Sequence, residues 1–600
     1  MKKIPALILV LFCLNTYAQS QVDLTKPLPY ILDMVHDNPG EEATASKYTD
    51  PAYLQECGFT GMVPQWYIQC GITYDSFEKS IVPEASEERK WIMEKQDFVH
   101  SRMKDAVKAG MPVYPFTDVF VIPTVLMNKY RSEIIGDNGK PDIHKPLTQE
   151  LIRIQLREIF QTFPELQGIV VRFGETYLQN TPYHSGNNPN KESIKGPDGI
   201  VTDTLGVQGH IKLLNILREE VCVKLNKKVF YRTWDFGWLH TNKERYLKIT
   251  DAVAPHPNLI FSIKYSNGDF HRMTLFNQTL GYGKHPYIVE FQGQPEYVGK
   301  GAFPVYMFGG MLRGYEENAA TSPKGMEDLK HDPRFVGIWT WSRGGGWRGP
   351  YIKNELFCDI NTRAAAFWAM NRSLSEHEVL DKTLRMLGVE KNSVKYFERI
   401  LELAEKGVLR GHYTKLPDTG FNIWWTRDQF ISDAGSLNEM MERTVRCTHG
   451  LSKEKVLGEK EEGVAMWKEI EKLSGKVRMK SPADEEYVRV GATYGRILHE
   501  IYSELFHIYV YLKEYELKDE LSIDYAAGLE KLQHSVRHYD ELWEEYRKLE
   551  AEYPATCASL YEPNGFSQSG IKVSGSKQTG AASSVEKAKA LIVTTQHKGH

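Results

Sequence analysis

A (β/α)8 TIM barrel followed by an all-α C-terminal domain is the fold that the sequence predicts. Three observations carry it. Short, almost wholly apolar runs alternate with amphipathic stretches across 28–370, as expected of parallel strands buried on both faces. Eight such repeats in about 340 residues fit a barrel with inserted loops. Beyond 370 the apolar period changes from 2 to 3.6, which marks a helical domain over 371–555.

The expected strands lie at 30–35, 58–63, 112–117, 168–173, 229–234, 259–264, 287–291 and 335–341. Plausible helices between them fall at 87–109, 148–162, 207–225 and 242–252. A doubly wound open sheet is the competing arrangement, but no G-x-G-x-x-G turn comes after the first strand. In the second domain, long amphipathic helices with charged outer faces are expected at 375–387, 393–404, 455–473, 485–512 and 523–549. Its surface is a candidate homodimer contact. The segment 567–600 is rich in Ser, Gly and Lys and reads as a flexible tail.

The start of the chain reads as an address. Lys2 and Lys3 precede an apolar run from Ala6 to Leu14, and Thr16-Tyr17-Ala18 places small residues at the two cleavage-pocket positions. A signal peptide over 1–18 and an exported, periplasmic or secreted protein are the resulting expectations. Phe12 before Cys13 fits a lipoprotein poorly, and no later apolar run approaches the roughly 20 residues that span a bilayer. No membrane partner is expected.

Lys and Arg number 74 against 78 Asp and Glu, so the chain has no broad basic field for a phosphate backbone, and nucleic acid is not the expected partner. Aromatic residues reach 12%, which suits either a large core or stacking platforms for sugars. Six cysteines lie beyond the leader, scattered and without a C-x-x-C pair. Cys57 and Cys70 could bridge in an oxidising compartment, although isolated buried thiols are the better expectation. No H-E-x-x-H or similar spacing occurs, so neither metal nor other cofactor is expected.

In such a barrel the reactive groups sit at the C-terminal ends of the strands. The candidates at or just beyond the ends of the expected strands are Asp33, His36, Asp37, Asp118, Arg172, Glu175, Arg232, Trp234, Asp235, Lys264, Asp269, Glu290, Glu296, Trp339, Trp341, Arg343 and Trp347. Carboxylates, cations and aromatics in one cleft suit a glycosidase acting on an acidic sugar. One protonated carboxyl must donate to the leaving oxygen, and one ionised carboxylate must attack the anomeric carbon or activate water. Arg can hold a substrate carboxylate in a bidentate pair.

These residues resemble the α-glucuronidases of glycoside hydrolase family 67. Lys264-Tyr265-Ser266-Asn267-Gly268-Asp269-Phe270 is similar to the family's Lys with Asp-Phe five residues later. Val289-Glu290-Phe291-Gln292-Gly293-Gln294-Pro295-Glu296-Tyr297-Val298-Gly299 resembles its Leu-Glu-Leu-Gln stretch ending in Glu-Tyr-x-Gly. Phe230-Tyr231-Arg232, the strand from Gly168 to Glu175, and Trp347-Arg348-Gly349-Pro350 with Asn354 beyond it resemble further motifs. The likeness covers roughly 165–370 and implies a divergent relative without the family's N-terminal domain.

The resemblance implies an inverting hydrolase that removes an α-linked uronic acid, most simply glucuronate, from oligosaccharide or polysaccharide fragments. It makes Glu175 the general acid, and Asp269 and Glu296 the carboxylates that activate water. It gives Arg232 and Lys264 to the uronate, with Arg172 standing one residue from the family's Lys. Trp234 and Trp347 are candidate stacking residues. The competing role for Arg232 and Lys264 is to neutralise nearby carboxylates. The competing functions are a catalytically inactive barrel that binds glycans, and an α-glycosidase or galacturonidase of different sugar specificity.

Overall fold

The structure is a computed structural model and describes residues 22–554, 567–568, 571–572 and 581–597, apart from 39–42, 138, 173–177, 179, 187–203, 235–237, 271, 346–353 and 415–433. Eight parallel strands form one sheet: β1 (Tyr30–His36), β2 (Gly61–Met62), β3 (Phe116–Asp118), β4 (Gly168–Arg172), β5 (Lys228–Arg232), β6 (Leu259–Lys264), β7 (Tyr287–Gln292) and β8 (Phe335–Gly344). Their order is β2-β1-β8-β7-β6-β5-β4-β3. A parallel bridge between Met62 and Val113 joins the two edges, with Met62 N donating to Pro112 O and Tyr114 N to Met62 O. The barrel of the sequence reading is therefore present.

The two shortest strands are the ones whose expected spans were too long. The runs at 58–63 and 112–117 shrink to Gly61–Met62 and Phe116–Asp118. Pro64, Pro112 and Pro115 lack the N–H that a ladder needs, so pairing there is reduced to single bonds such as Phe116 N to Pro64 O.

Helices cover the outside. In α1 (Glu87–Ala109) the Ser86 side chain accepts from Arg89 N, and Gly110 ends the helix at φ +69, a conformation that favours glycine. Helix α2 (Pro146–Thr162) comes after β3, and α3 (Thr204–Leu217), which runs into a π-helical turn at Arg218–Lys224, comes after β4. Helix α4 (Lys243–Thr250) comes after β5. Helix α5 (Leu356–Met370) packs behind β8 and has almost no exposed face.

The C-terminal helices are α6 (Glu376–Met386), α7 (Val394–His412), α8 (Ala434–Val445), α9 (Lys453–Ser474), α10 (Pro482–Leu517) and α11 (Ala526–Glu552). Trp467 of α9 stacks on His499 of α10 at 4.2 Å and reaches Phe303 of the barrel side at 5.3 Å. Gly495 makes room for it, since a Cβ there would fall 2.5 Å from the Trp467 ring. Arg496 pairs with Glu471, Glu500 and Glu545 and so ties α9, α10 and α11 together. The segment expected as a flexible tail contains α12 (Ala581–His597), which packs on α10 and α11 with Val585 and Ala588 fully buried. Val585 and Ala588, with Leu591 and Ile592 partly buried beside them, dock a helix that composition alone reads as solvated. No helix among the described residues is long and apolar enough to cross a membrane.

The thiols of Cys57, Cys70, Cys222 and Cys358 are free and buried, and that of Cys447 is free and exposed. Cys57 and Cys70 do not bridge.

Asp33 lies opposite Thr340 in the β1–β8 register and accepts from Thr340 Oγ1 and Ser342 Oγ, the latter at 2.7 Å. These partners alternate with Trp339 and Trp341, so Asp33 faces away from the barrel interior and outside the mouth. Burial pushes its carboxyl up to about 7, against the lowering effect of the two hydroxyls. Since the folded value exceeds the ordinary one of 3.8, the folded state holds the proton more tightly. The stability this contributes is complete below about pH 4 and disappears as pH rises through about 7. Asp33→Asn, always neutral and equally able to meet the hydroxyls, is expected to flatten the fall in Tm across that window. Thermal unfolding at several pH values checks this, and an unchanged slope would remove Asp33 from the balance.

Candidate functional site

The C-terminal ends of β3 to β7 bring the charged residues together in pairs. Asp118 and Arg172 are register partners on β3 and β4, and Arg172 Nε and Nη2 donate to the two carboxylate oxygens of Asp118. Arg232 on β5 reaches across β6 to Glu290 on β7, its Nε and Nη2 donating to Oε1 and Oε2 at 2.8 Å each. Ser262 on the intervening strand donates to Glu290 Oε1 at 2.9 Å. All four charged side chains are buried, and the fork geometry repays part of their desolvation. Their walls are aromatic: the Arg172 guanidinium lies 4.8 Å over Phe116, and that of Arg232 lies 5.1 Å over Phe116 and 5.3 Å over Trp341.

A third pair is more open. Lys264 Nζ, at the end of β6, is 2.5 Å from Asp269 Oδ1 and lies 4.0 Å over Trp234 and 4.3 Å over Phe270. Asp269 also accepts from Phe270 N at 3.0 Å and from the Tyr297 hydroxyl. All three donors match an ionised carboxylate. Glu296 lies just beyond β7, and its N–H donates to Gln292 Oε1 at 2.8 Å while Gln292 Nε2 donates to Phe270 O at 2.8 Å. Gln292 thus links the loop of Asp269 to that of Glu296. The Glu296 carboxylate rests against Gly345, where φ is +77 and a Cβ would fall 3.1 Å from Glu296 Cδ.

Exposure separates the carboxylates. Asp118 and Glu290 are 2% and 0% exposed, whereas Asp269 and Glu296 are half-buried. Of these four, Asp269 and Glu296 are the ones that can meet a ligand directly.

His36, at the end of β1, stacks on Trp341 at 5.0 Å with an interplanar angle of 11°. Burial, reinforced by Arg172, Arg232 and Lys264 and opposed by Asp269, brings its imidazole down to about 3. The ring is therefore neutral at ordinary pH. Charges from β4, β5 and β6 converge on this one side chain.

Of the residues singled out in the sequence, Arg172, Arg232, Lys264, Asp269, Glu296 and Trp234 are brought to this mouth. Glu175, Asp235 and Trp347 lie outside the described residues. Each of the three cations meets a carboxylate within the chain. Trp234 is 8% exposed and lies under Lys264. Tyr297 and Tyr67 are among the participants without an assigned role in the sequence reading. Tyr297 holds Asp269, and its place directly after Glu296 was the available signal. Tyr67, in the loop after β2, stands in the field of Arg172 and Asp118, and nothing local in the sequence marks it. No group of three or more His, Cys, Asp or Glu able to hold a metal ion occurs among the described residues.

Barrel and helical region together have the fold of a solved enzyme to which the chain is similar. The chain is similar over 96% of its length to a GH138 enzyme targeting pectin rhamnogalacturonan II, with 84% of that chain covered, a TM-score of 0.54 and 12% identity. A mutant of the O-GlcNAc hydrolase of Thermobaculum terrenum matches with a TM-score of 0.35 and 8% identity over 96% of this chain and 97% of its own. A GH20 exo-β-N-acetylglucosaminidase of Vibrio harveyi matches at 0.31 and 12% identity over 60% of this chain and 57% of its own. No family model and no curated protein matches the sequence.

Proposed function

We propose that the chain is an exported glycoside hydrolase that removes an α-linked uronic acid from glycan fragments with inversion of the anomeric centre. The gathering of Arg172, Arg232 and Lys264 over the Phe116 and Trp341 rings, beside two half-buried carboxylates, carries this reading. Each of these cations already has a carboxylate partner, so recognition of an anionic sugar in this reading is a charge-assisted hydrogen bond from one of them to the substrate carboxylate and not a net positive field. The resemblance to the family 67 α-glucuronidases supports the same class, and the leader-like start of the chain supports export.

In this reading Glu175 donates its proton to the glycosidic oxygen as the bond to the anomeric carbon breaks. A water attacks that carbon from the opposite face, and Asp269 or Glu296 takes its proton. Inversion requires acid and base carboxyls about 6.5–9.5 Å apart, and the sequence positions of Glu175 beyond β4 and of Asp269 and Glu296 beyond β6 and β7 favour the wider gap over the roughly 5–5.5 Å of a retaining pair. Glucuronate is the simplest sugar. Galacturonate is the second reading, favoured because the GH138 neighbour targets a pectin.

Incubation with a panel of α-linked glucuronides and galacturonides, with the products read by proton NMR, tests this. The expected product is a free uronate whose β-anomer appears first, before mutarotation. Initial release of the α-anomer would replace inversion by retention, and a preference for neutral hexosides would end the uronate assignment.

A further inference from the structure

Beyond the mouth, α1 presents an unusual stripe. Trp91, Lys95, Phe98 and Arg102 recur at i, i+4, i+7 and i+11 and so share one helix face. Lys95 Nζ lies 5.6 Å from the Trp91 ring, 5.1 Å from Phe98 and 5.9 Å from Tyr67, and the Arg102 guanidinium lies 5.6 Å over Phe98. Two other segments complete the surface. Tyr67 comes from the loop after β2 and is held at φ +52, a costly conformation for a bulky residue. Tyr183 packs edge-on to Trp91 at 6.0 Å. Beneath Trp91 lies His184, 4% exposed, with neither ring nitrogen hydrogen-bonded among the described residues.

The rings of Tyr67, Trp91 and Tyr183 are half-buried, and Phe98 is 40% exposed. Neither Lys95 nor Arg102 has a carboxylate within ion-pair distance among the described residues. A cation–π ladder that merely braced the helix would need only the α1 side chains. It would leave unexplained the rings delivered by the β2 loop and by the segment after β4.

We propose that this strip is a subsite for an acidic sugar residue of the glycan beyond the scissile uronate. The ring faces take the apolar faces of the sugar, and Lys95 takes its carboxylate. The inference rests on the glycosidase reading of the mouth for its place along the substrate.

The test uses the full chain, with calorimetric binding of oligogalacturonides of about four to six residues, neutral cello-oligosaccharides of equal length, and hydrolysis of a short aryl α-uronide. Lys95→Gln is expected to weaken the acidic oligosaccharide by about tenfold or more, as for a lost charged hydrogen bond, and to leave the aryl uronide rate unchanged. Trp91→Ala is expected to weaken acidic binding as well, with Tm showing that it folds. Acidic affinity unchanged in Lys95→Gln overturns the subsite, as does an equal loss for the neutral oligomer. If no uronide is cleaved but acidic binding still depends on Lys95, the strip stands and the hydrolase reading falls. If the aryl uronide is cleaved but binding of the acidic oligosaccharide does not depend on Lys95, the strip alone falls.

Discussion

Glu175→Gln is expected to lower turnover by about two to four orders of magnitude on substrates with poor leaving groups, as loss of a general acid does. The effect should shrink towards nothing on an aryl uronide whose leaving group needs no proton. Asp269→Asn is the complementary case. A base that activates water is needed whatever departs, so its loss should be of similar size on both substrates. The structural side of the two variants differs. Asp269 is the counter-charge of Lys264, whose side chain is only 4% exposed, so Asp269→Asn also leaves a buried ammonium less well compensated. Tm separates that effect from catalysis. Glu175→Gln within a few-fold of wild type on a poor leaving group would remove Glu175 from the mechanism. An Asp269→Asn loss confined to poor leaving groups would make Asp269 the acid.

The fold was legible where local pattern and tertiary fate agree. Helix α1 runs over Glu87–Ala109 and strand β6 over Leu259–Lys264, the spans expected from an amphipathic run between a Ser cap and a Gly stop and from an apolar run buried on both faces. Helix α5 was not read as a helix, because Leu356 to Met370 is buried nearly all round and so shows no polar face to set a period. Helix α12 was missed for the opposite reason, a solvated composition with only a few docking side chains. For the candidate site, placing residues at strand ends named several that the structure brings to one mouth. It could not find the partners. Asp118 and Arg172 are 54 residues apart, and Arg232 and Glu290 are 58 apart with Ser262 between them on the sheet. Such pairings are set by strand order, which leaves no trace in local spacing.

That unseen partner changes what Arg232 can be asked to do, and it leads to the second large effect. Arg232→Met removes the ion-pair partner that Glu290 has among the described residues, and Glu290 is 0% exposed, so stability is expected to fall by about 3–5 kcal/mol. Arg232→Met combined with Glu290→Gln removes both charges. The amide can still meet the Ser262 hydroxyl, and Met fills the apolar space between Phe116 and Trp341, so most of the loss should be regained. Urea unfolding of the single and double variants measures this. Activity then separates two roles that stability cannot. If Arg232 also holds the substrate, the double variant should fold like wild type yet stay impaired on an acidic sugar, with the loss in kcat/KM much smaller on the matching neutral glycoside. A double variant that regains both stability and acidic-sugar activity would make Arg232 a counter-charge for Glu290 and nothing more. Recognition of the uronate would then fall to Arg172 and Lys264.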